Sequence, residues 1–132
     1  MNADSLKDKS VLIVDDDPDV VTALSTIFTN CGASVLTAVN GDEAVERAEL
    51  DHPDLVILDA MLPKRSGFLV LERLKSRKSV RQSPPVIMIT GNDGKRHQSW
   101  AESLGVDDYI AKPFRMERLM QSVETLLGTG AE

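Results

Sequence analysis

Three consecutive aspartates, Asp15, Asp16 and Asp17, directly follow the short apolar run Val11–Val14, and a fourth, Asp59, closes the apolar stretch Leu55–Leu58. Thr90 comes at the end of Val86–Ile89, and Lys112 follows Asp108–Ala111. Each of these residues, taken singly, reads as an ordinary polar loop residue. Carboxylates gathered in one place need a different account. Two like charges ~5 Å apart at an effective dielectric of 20 repel by on the order of 3 kcal/mol. A hard divalent cation offsets that cost, and Mg²⁺ takes few protein oxygens, with waters and a phosphate completing its octahedron. Lys112 would add a further positive charge. The chemistry is available only if the fold brings these residues together.

The periodicity predicts that it does. Val11–Val14, Val35–Val39, Asp54–Leu58, Val86–Ile89 and Asp108–Ala111 read as short strands, the most apolar of them buried on both faces. A helix follows each. Asp17 caps the first, with Pro18 at its opening position. Val21, Leu24, Ile27, Phe28 and Cys31 recur at helical spacing before Gly32 ends it. Asn40 or Gly41 opens the second helix, which turns Ala44, Val45 and Ala48 inward. Leu62–Gly67 forms a loop ahead of a helix carrying Phe68, Leu71 and Leu74. Lys75–Ser83 reads as a basic connector and Thr90–Gly94 as a loop. The last two helices carry Trp100, Ala101 and Leu104, then Leu119, Val123, Leu126 and Leu127. Met1–Lys9 is polar, and the tail from Gly128 to Glu132 reads as frayed.

Five alternations of strand and helix imply an α/β fold, an open parallel sheet with helices on both faces. In such sheets ligands bind beyond the carboxyl ends of the strands. Asp15, Asp16, Asp59, Thr90 and Lys112 all emerge at that edge.

The 132 residues suit one domain, with 42% apolar and 27% charged residues. A formal net charge of -6 argues against a phosphate-gripping nucleic-acid surface. The single cysteine, Cys31, excludes an intrachain disulfide and suits a reducing cytosol. The longest apolar runs are too short to span a bilayer.

Four stretches together resemble the receiver domain of bacterial two-component response regulators. They are Val11-Leu-Ile-Val-Asp-Asp-Asp-Pro18, Asp54-Leu-Val-Ile-Leu-Asp-Ala-Met-Leu-Pro63 with Gly67, Pro85-Val-Ile-Met-Ile-Thr-Gly91, and Tyr109-Ile-Ala-Lys-Pro-Phe114. The resemblance runs from Lys9 to Leu127, the expected core of a single receiver domain over 1–132. It implies a doubly wound, flavodoxin-like (βα)5 sheet in the order 2-1-3-4-5. It implies that Asp59 accepts a phosphoryl group from a histidine kinase phosphohistidine, a phosphotransfer protein or a small donor such as acetyl phosphate. Asp15, Asp16, Asp59 and the backbone carbonyl of Met61 would hold Mg²⁺ or Mn²⁺. Thr90, the Gly91 N–H and Lys112 would bind the phosphoryl oxygens. Thr90 and Tyr109 would be the switch, and Lys112–Pro113 would be cis. The chain would then be a cytoplasmic signalling domain rather than a turnover enzyme. Its downstream partner would sit on the face of the last strands and helices, where receivers can also form homodimers.

Gly91 departs from the alanine most common there in the family; its N–H survives. Two other readings compete. One is a receiver-like binding module that works without phosphorylation, although such forms usually lose an acid, the lysine or the acceptor. The other is a phosphohydrolase of the haloacid dehalogenase class, with Asp15 as nucleophile and Asp17 as second acid, which leaves Asp59 without a role. His52 and His97 are expected to face solvent, Met88 to be core, and Trp100 to divide between Leu104 and a partner. Pro63 and Gly67 are expected to be turn residues.

Overall fold

The computed structural model describes residues 3–76, 83–91 and 95–128. In chain order the elements are β1 Ser10–Val14, α1 Pro18–Asn30, β2 Ser34–Ala38, α2 Gly41–Asp51, β3 Leu55–Asp59, α3 Gly67–Leu74, β4 Val86–Thr90, α4 Lys95–Ser103, β5 Asp108–Ala111 and α5 Met116–Leu127. All five strands are parallel, in the order β2-β1-β3-β4-β5. The predicted fold class and strand order are therefore those of the molecule.

The alternation of side chains along each strand separates two cores. Leu12, Val14, Val56, Leu58, Val86 and Met88 face one way and pack against Ala44, Val45 and Ala48 of α2, Phe68, Leu71 and Leu74 of α3, and Ala101 of α4. Val11, Ile13, Leu55, Ile57, Ile87, Ile89 and Ile110 face the other way, onto Leu24 and Phe28 of α1 and Leu119 and Val123 of α5. Full burial of each such side chain contributes roughly 1.5–3 kcal/mol, which makes the two apolar faces the main stabilising term.

Polar residues fix where the elements begin. Asp17 accepts the Asp19 N–H and Asn40 the Glu43 N–H, each at 2.9 Å. Ser66 accepts the Leu69 N–H at 3.3 Å, capping α3. Gly32 takes φ +92° after α1, and the Ala33 N–H closes back on the Phe28 carbonyl at 3.1 Å. On β5, Asp108 receives both terminal nitrogens of Arg118, at 2.9 and 3.0 Å, which ties α5 to the sheet. Burial pushes the Asp108 carboxyl upward, but hydrogen bonds from Arg118, Ser122 and the Tyr109 N–H outweigh it and hold the group below the usual carboxylate range.

Several sequence expectations need correction. The packed core starts before Lys9: Leu6 is fully buried in the α1–α5 core, and its N–H bonds to the Cys31 carbonyl at 2.8 Å. β2 stops at Ala38, leaving Val39 half exposed. β3 runs from Leu55 to Asp59, and Asp54 instead uses its side chain to accept the Ser10 N–H at 2.8 Å. Lys75 is not a solvated connector residue, because its Nζ reaches both the Pro84 carbonyl and the Asp107 carboxylate at 2.8 Å. The rest of that connector from Arg77 to Gln82, the loop residues Asn92–Gly94 and the tail beyond Gly128 lie outside the described residues.

Candidate functional site

β1 and β3 are neighbours, and the chain leaves them for opposite faces of the sheet, so a crevice forms where both end. Asp15 follows β1 there. Its N–H bonds to the Ala38 carbonyl at the end of β2, at 3.1 Å, and its Oδ1 accepts the Asp17 N–H at 2.9 Å. Its position is thus held from two sides, and it is buried. Asp59 is the last residue of β3, also buried, with the Met61 N–H donating to its Oδ1 at 3.1 Å. Asp16 is exposed, so the cluster meets solvent on that side. One carboxylate oxygen from each of Asp15, Asp16 and Asp59 lies within 4.8 Å of the others.

Lys112 follows β5, and its Nζ stands 3.6 Å from Asp15 Oδ2. One ammonium faces three acids, so the cluster carries excess negative charge. Burial raises the Asp59 pKa to about 6; the Met61 N–H and Lys112 pull it down, while Asp15 and Asp16 push it up. Three hard oxygen donors within reach of one point, two of them buried, fit a small divalent cation such as Mg²⁺ or Mn²⁺.

Of the other predicted residues, Met61, Thr90 and Gly91 occupy the same edge, and Tyr109 lies two residues back from the end of β5. In register, Asp59 lies beside Ile89 and Thr90 beside Ala111. Thr90 is buried, and its carbonyl accepts the Lys112 N–H at 2.7 Å. Gly91 is exposed, and a Cβ there would meet nothing within 4 Å. Tyr109 is half-buried and packs against the α2–α4 core, on the sheet face it shares with Met88 and Thr90. Met61 is exposed beside Asp59. The Lys112–Pro113 bond is cis.

Two glycines do more than turn the chain. A Cβ on Gly67 would overlap the Asp59 carbonyl oxygen, and the Gly67 N–H bonds to the Ala60 carbonyl at 2.9 Å. A Cβ on Gly41 would overlap Arg65, whose loop also accepts the Gly41 N–H on the Pro63 carbonyl at 3.3 Å. α3 can therefore start against the end of β3 only because position 67 has no side chain. The close approach corrects the expectation that Gly67 is only a turn residue. No local pattern could have disclosed it, because the contact joins two segments across a loop. Pro63 fits the turn reading: its carbonyl also accepts the Arg65 N–H at 2.7 Å across Lys64, whose φ is +68°.

Asp17 is engaged as a helix cap. Met88 is fully buried and His52 is exposed, as expected. His97 is not simply solvent-facing, since its ring lies 5.7 Å from that of Phe68. Trp100 stacks on Phe68 and is 46% exposed.

Fold and site together define a doubly wound α/β module with an acidic cluster at its switch point. The profile of the response regulator receiver domain family matches residues 11–124, and the chain belongs to that family. It is 37% identical over 119 residues to the alkaline phosphatase synthesis transcriptional regulatory protein PhoP of Bacillus subtilis, which covers 90% of this chain and 48% of PhoP. Among solved structures, the receiver domain of Francisella response regulator 1452 superposes with a TM-score of 0.82 at 27% identity, covering 92% of this chain and 98% of that one. The receiver domain of the sensor histidine kinase PA1611 from Pseudomonas aeruginosa PAO1, with a magnesium ion coordinated in its active-site cleft, gives 0.80 at 26% identity, covering 91% and 98%. The chain spans about half the length of the first curated relatives it matches. Among the described residues, no helix is long and apolar enough to cross a membrane.

Proposed function

We propose that Asp59 is the phospho-acceptor of this receiver domain and that its aspartyl phosphate switches the conformation of the β4–α5 face. The observation that carries the reading is the buried Asp59 carboxylate grouped with Asp15 and Asp16, with the Lys112 ammonium at 3.6 Å from Asp15. Asp15, Asp16, Asp59 and the Met61 carbonyl would hold Mg²⁺ or Mn²⁺, which supplies the positive charge that offsets the carboxylates and the phosphoryl oxygens.

An Asp59 oxygen attacks phosphorus, the P–N bond of the donor phosphohistidine breaks, and the imidazole leaves with the bonding pair. The transition state spreads charge over three equatorial oxygens, so positioning and neutralisation do most of the catalysis. Lys112, the Thr90 hydroxyl and the Gly91 N–H receive those oxygens. Attraction of Thr90 and Lys112 toward the dianion vacates space for the Tyr109 ring, a population shift biased by local electrostatics.

The phosphoryl donor is a sensor histidine kinase or phosphotransfer protein, in a cytoplasmic setting. The output passes to a downstream partner or output domain, or to a second copy, through β5 and its flanking helices. The whole of 1–132 acts as one receiver that modifies only itself. The hydrolase alternative loses support from Asp17, whose carboxylate accepts the Asp19 N–H as the α1 cap.

Intact mass after incubation with acetyl phosphate and Mg²⁺ tests the reading. A gain of one phosphoryl group in the wild type, absent in Asp59→Asn and with EDTA, is expected. No gain at any time point, together with no binding of beryllofluoride, would overturn it in favour of a module that works unphosphorylated.

A further inference from the structure

Away from the acidic site, the closest ring contact between elements is aromatic stacking across α3 and α4. Phe68, the second residue of α3, is buried, and its ring lies flat on the Trp100 indole, with centroids 4.3 Å and planes 2° apart. His97, three residues earlier on α4, meets the same ring at 5.7 Å in a tilted arrangement. One side chain of α3 therefore contacts two positions of α4. Among the described residues, α4 has few other attachments. Ala101 is its one buried side chain, and its side-chain hydrogen bonds, Gln98 to Glu102 and Ser103 to the Trp100 carbonyl, stay inside the helix.

The other end of the contact is fixed to the acceptor strand. Phe68 adjoins Gly67, whose N–H bonds to the Ala60 carbonyl at 2.9 Å and which sits too close to the Asp59 carbonyl to admit a Cβ. The start of α3 cannot move independently of the backbone at Asp59 and Ala60. That backbone is itself coupled to the Asp59 side chain, since the Met61 N–H donates to Asp59 Oδ1 at 3.1 Å. An oxygen that becomes bonded to phosphorus, or turns toward a cation, loses electron density for that hydrogen bond, so residues 59–61 must readjust.

We infer that the run Asp59, Ala60, Gly67, Phe68, Trp100 is a mechanical coupling through which loading of Asp59 repositions α4, by a route separate from Thr90 and Tyr109. The inference rests on the proposed acceptor role of Asp59. Packed aromatic faces transmit small displacements because a close-packed contact cannot compress.

Hydrogen exchange of the α4 amides in the full chain, with and without beryllofluoride and Mg²⁺, tests the coupling, beside intact mass after acetyl phosphate treatment. In the wild type, loading is expected to change α4 exchange. Phe68→Leu and Trp100→Ala are expected to take one phosphoryl group to the wild-type extent and to lose the α4 response. Trp100 is 46% exposed, so Trp100→Ala is expected to cost the fold less than a change at buried Phe68, and it decides the matter if Phe68→Leu does not fold. A wild type that loads without an α4 response, or variants in which α4 responds as in the wild type, would overturn the coupling alone. A wild type that does not load would instead defeat the acceptor reading, and the coupling with it.

Discussion

At the scale of single residues, the site works against the stability of the fold that holds it. Burial raises the Asp59 pKa to about 6 from an ordinary carboxylate value of 3.8. The folded protein therefore favours protonated Asp59. Its contribution is full below pH 3.8 and is lost as pH rises through about 6. A shift of that size corresponds to roughly 2–3 kcal/mol. Asp59→Asn, which cannot ionise, should match the wild type near pH 3.5 and exceed it by on the order of 2 kcal/mol at pH 7.5 without metal. Denaturant titrations of both proteins across that range measure the difference; a constant gap would refute it. Gly67→Ala sets two effects of opposite sign against each other. Helix propensity alone favours alanine by roughly 1 kcal/mol. The new Cβ, however, would overlap the Asp59 carbonyl oxygen, and overpacking of this kind costs about 1–3 kcal/mol. Sterics should win, with net destabilisation and slower phosphorylation by acetyl phosphate. The carboxylates were legible in the sequence because each ends an apolar run. The demand at position 67 was not, because a glycine beside a turn looks the same whether it bends the chain or admits a neighbour. Leu6 was hidden for a similar reason, as one apolar residue in a polar segment that only the Cys31 carbonyl and the α1–α5 core give a place.

At the scale of elements, the amino edge of the sheet carries a repeated device. Asp54, just before β3, accepts the N–H of Ser10, which begins the neighbouring β1, at 2.8 Å. Asp107, just before β5, accepts the N–H of Val86, which begins the neighbouring β4, at 2.7 Å. Each aspartate satisfies a strand-opening donor, and Asp107 also binds Lys75 from the end of α3. The Lys75 side chain is only 16% exposed, so removing its partner leaves a poorly solvated cation as well as an orphaned N–H. Asp107→Ala should cost about 1–3 kcal/mol and more than Asp54→Ala. Both variants should be phosphorylated at the wild-type rate, since this edge is opposite Asp59. Denaturant midpoints and intact-mass time courses would show it; equal costs for the two variants would contradict the role given to Lys75. Periodicity gave away the strands because their faces are apolar, but it misplaced their ends by a residue at Val39 and Asp54. There the polar or exposed residue is decided by a neighbouring strand, and Lys75 looked solvated for the same reason, sitting in a basic run whose partners lie in distant segments.

At the scale of the whole molecule, two apolar cores provide the stability, and the crevice between β1 and β3 gives some of it up by holding three carboxylates together. Such an arrangement makes the fold responsive to whatever neutralises the cluster. A ligand that binds only the folded chain stabilises it by RT ln(1 + [L]/Kd), which is about 2.7 kcal/mol at a hundredfold excess over Kd. Mg²⁺ should therefore raise the melting temperature in a concentration-dependent way above pH 6, where Asp59 is ionised. The rise should shrink as pH falls below 6, because protons and metal then compete for the same carboxylate. Asp59→Asn separates intrinsic stability from metal response. It should melt higher than the metal-free wild type yet gain much less from Mg²⁺, so that the two melting curves converge or cross as the ion is added. Asp15→Asn should lose the metal response as well. Its change in baseline differs, because Asp15 already has Lys112 as a counter-charge at 3.6 Å, so removing its charge leaves the ammonium without that partner. Calorimetric scans of the three proteins against Mg²⁺ at pH 5 and pH 7.5 would test this, and a Mg²⁺ response in Asp59→Asn equal to that of the wild type would show that the ion stabilises the chain from somewhere other than this crevice.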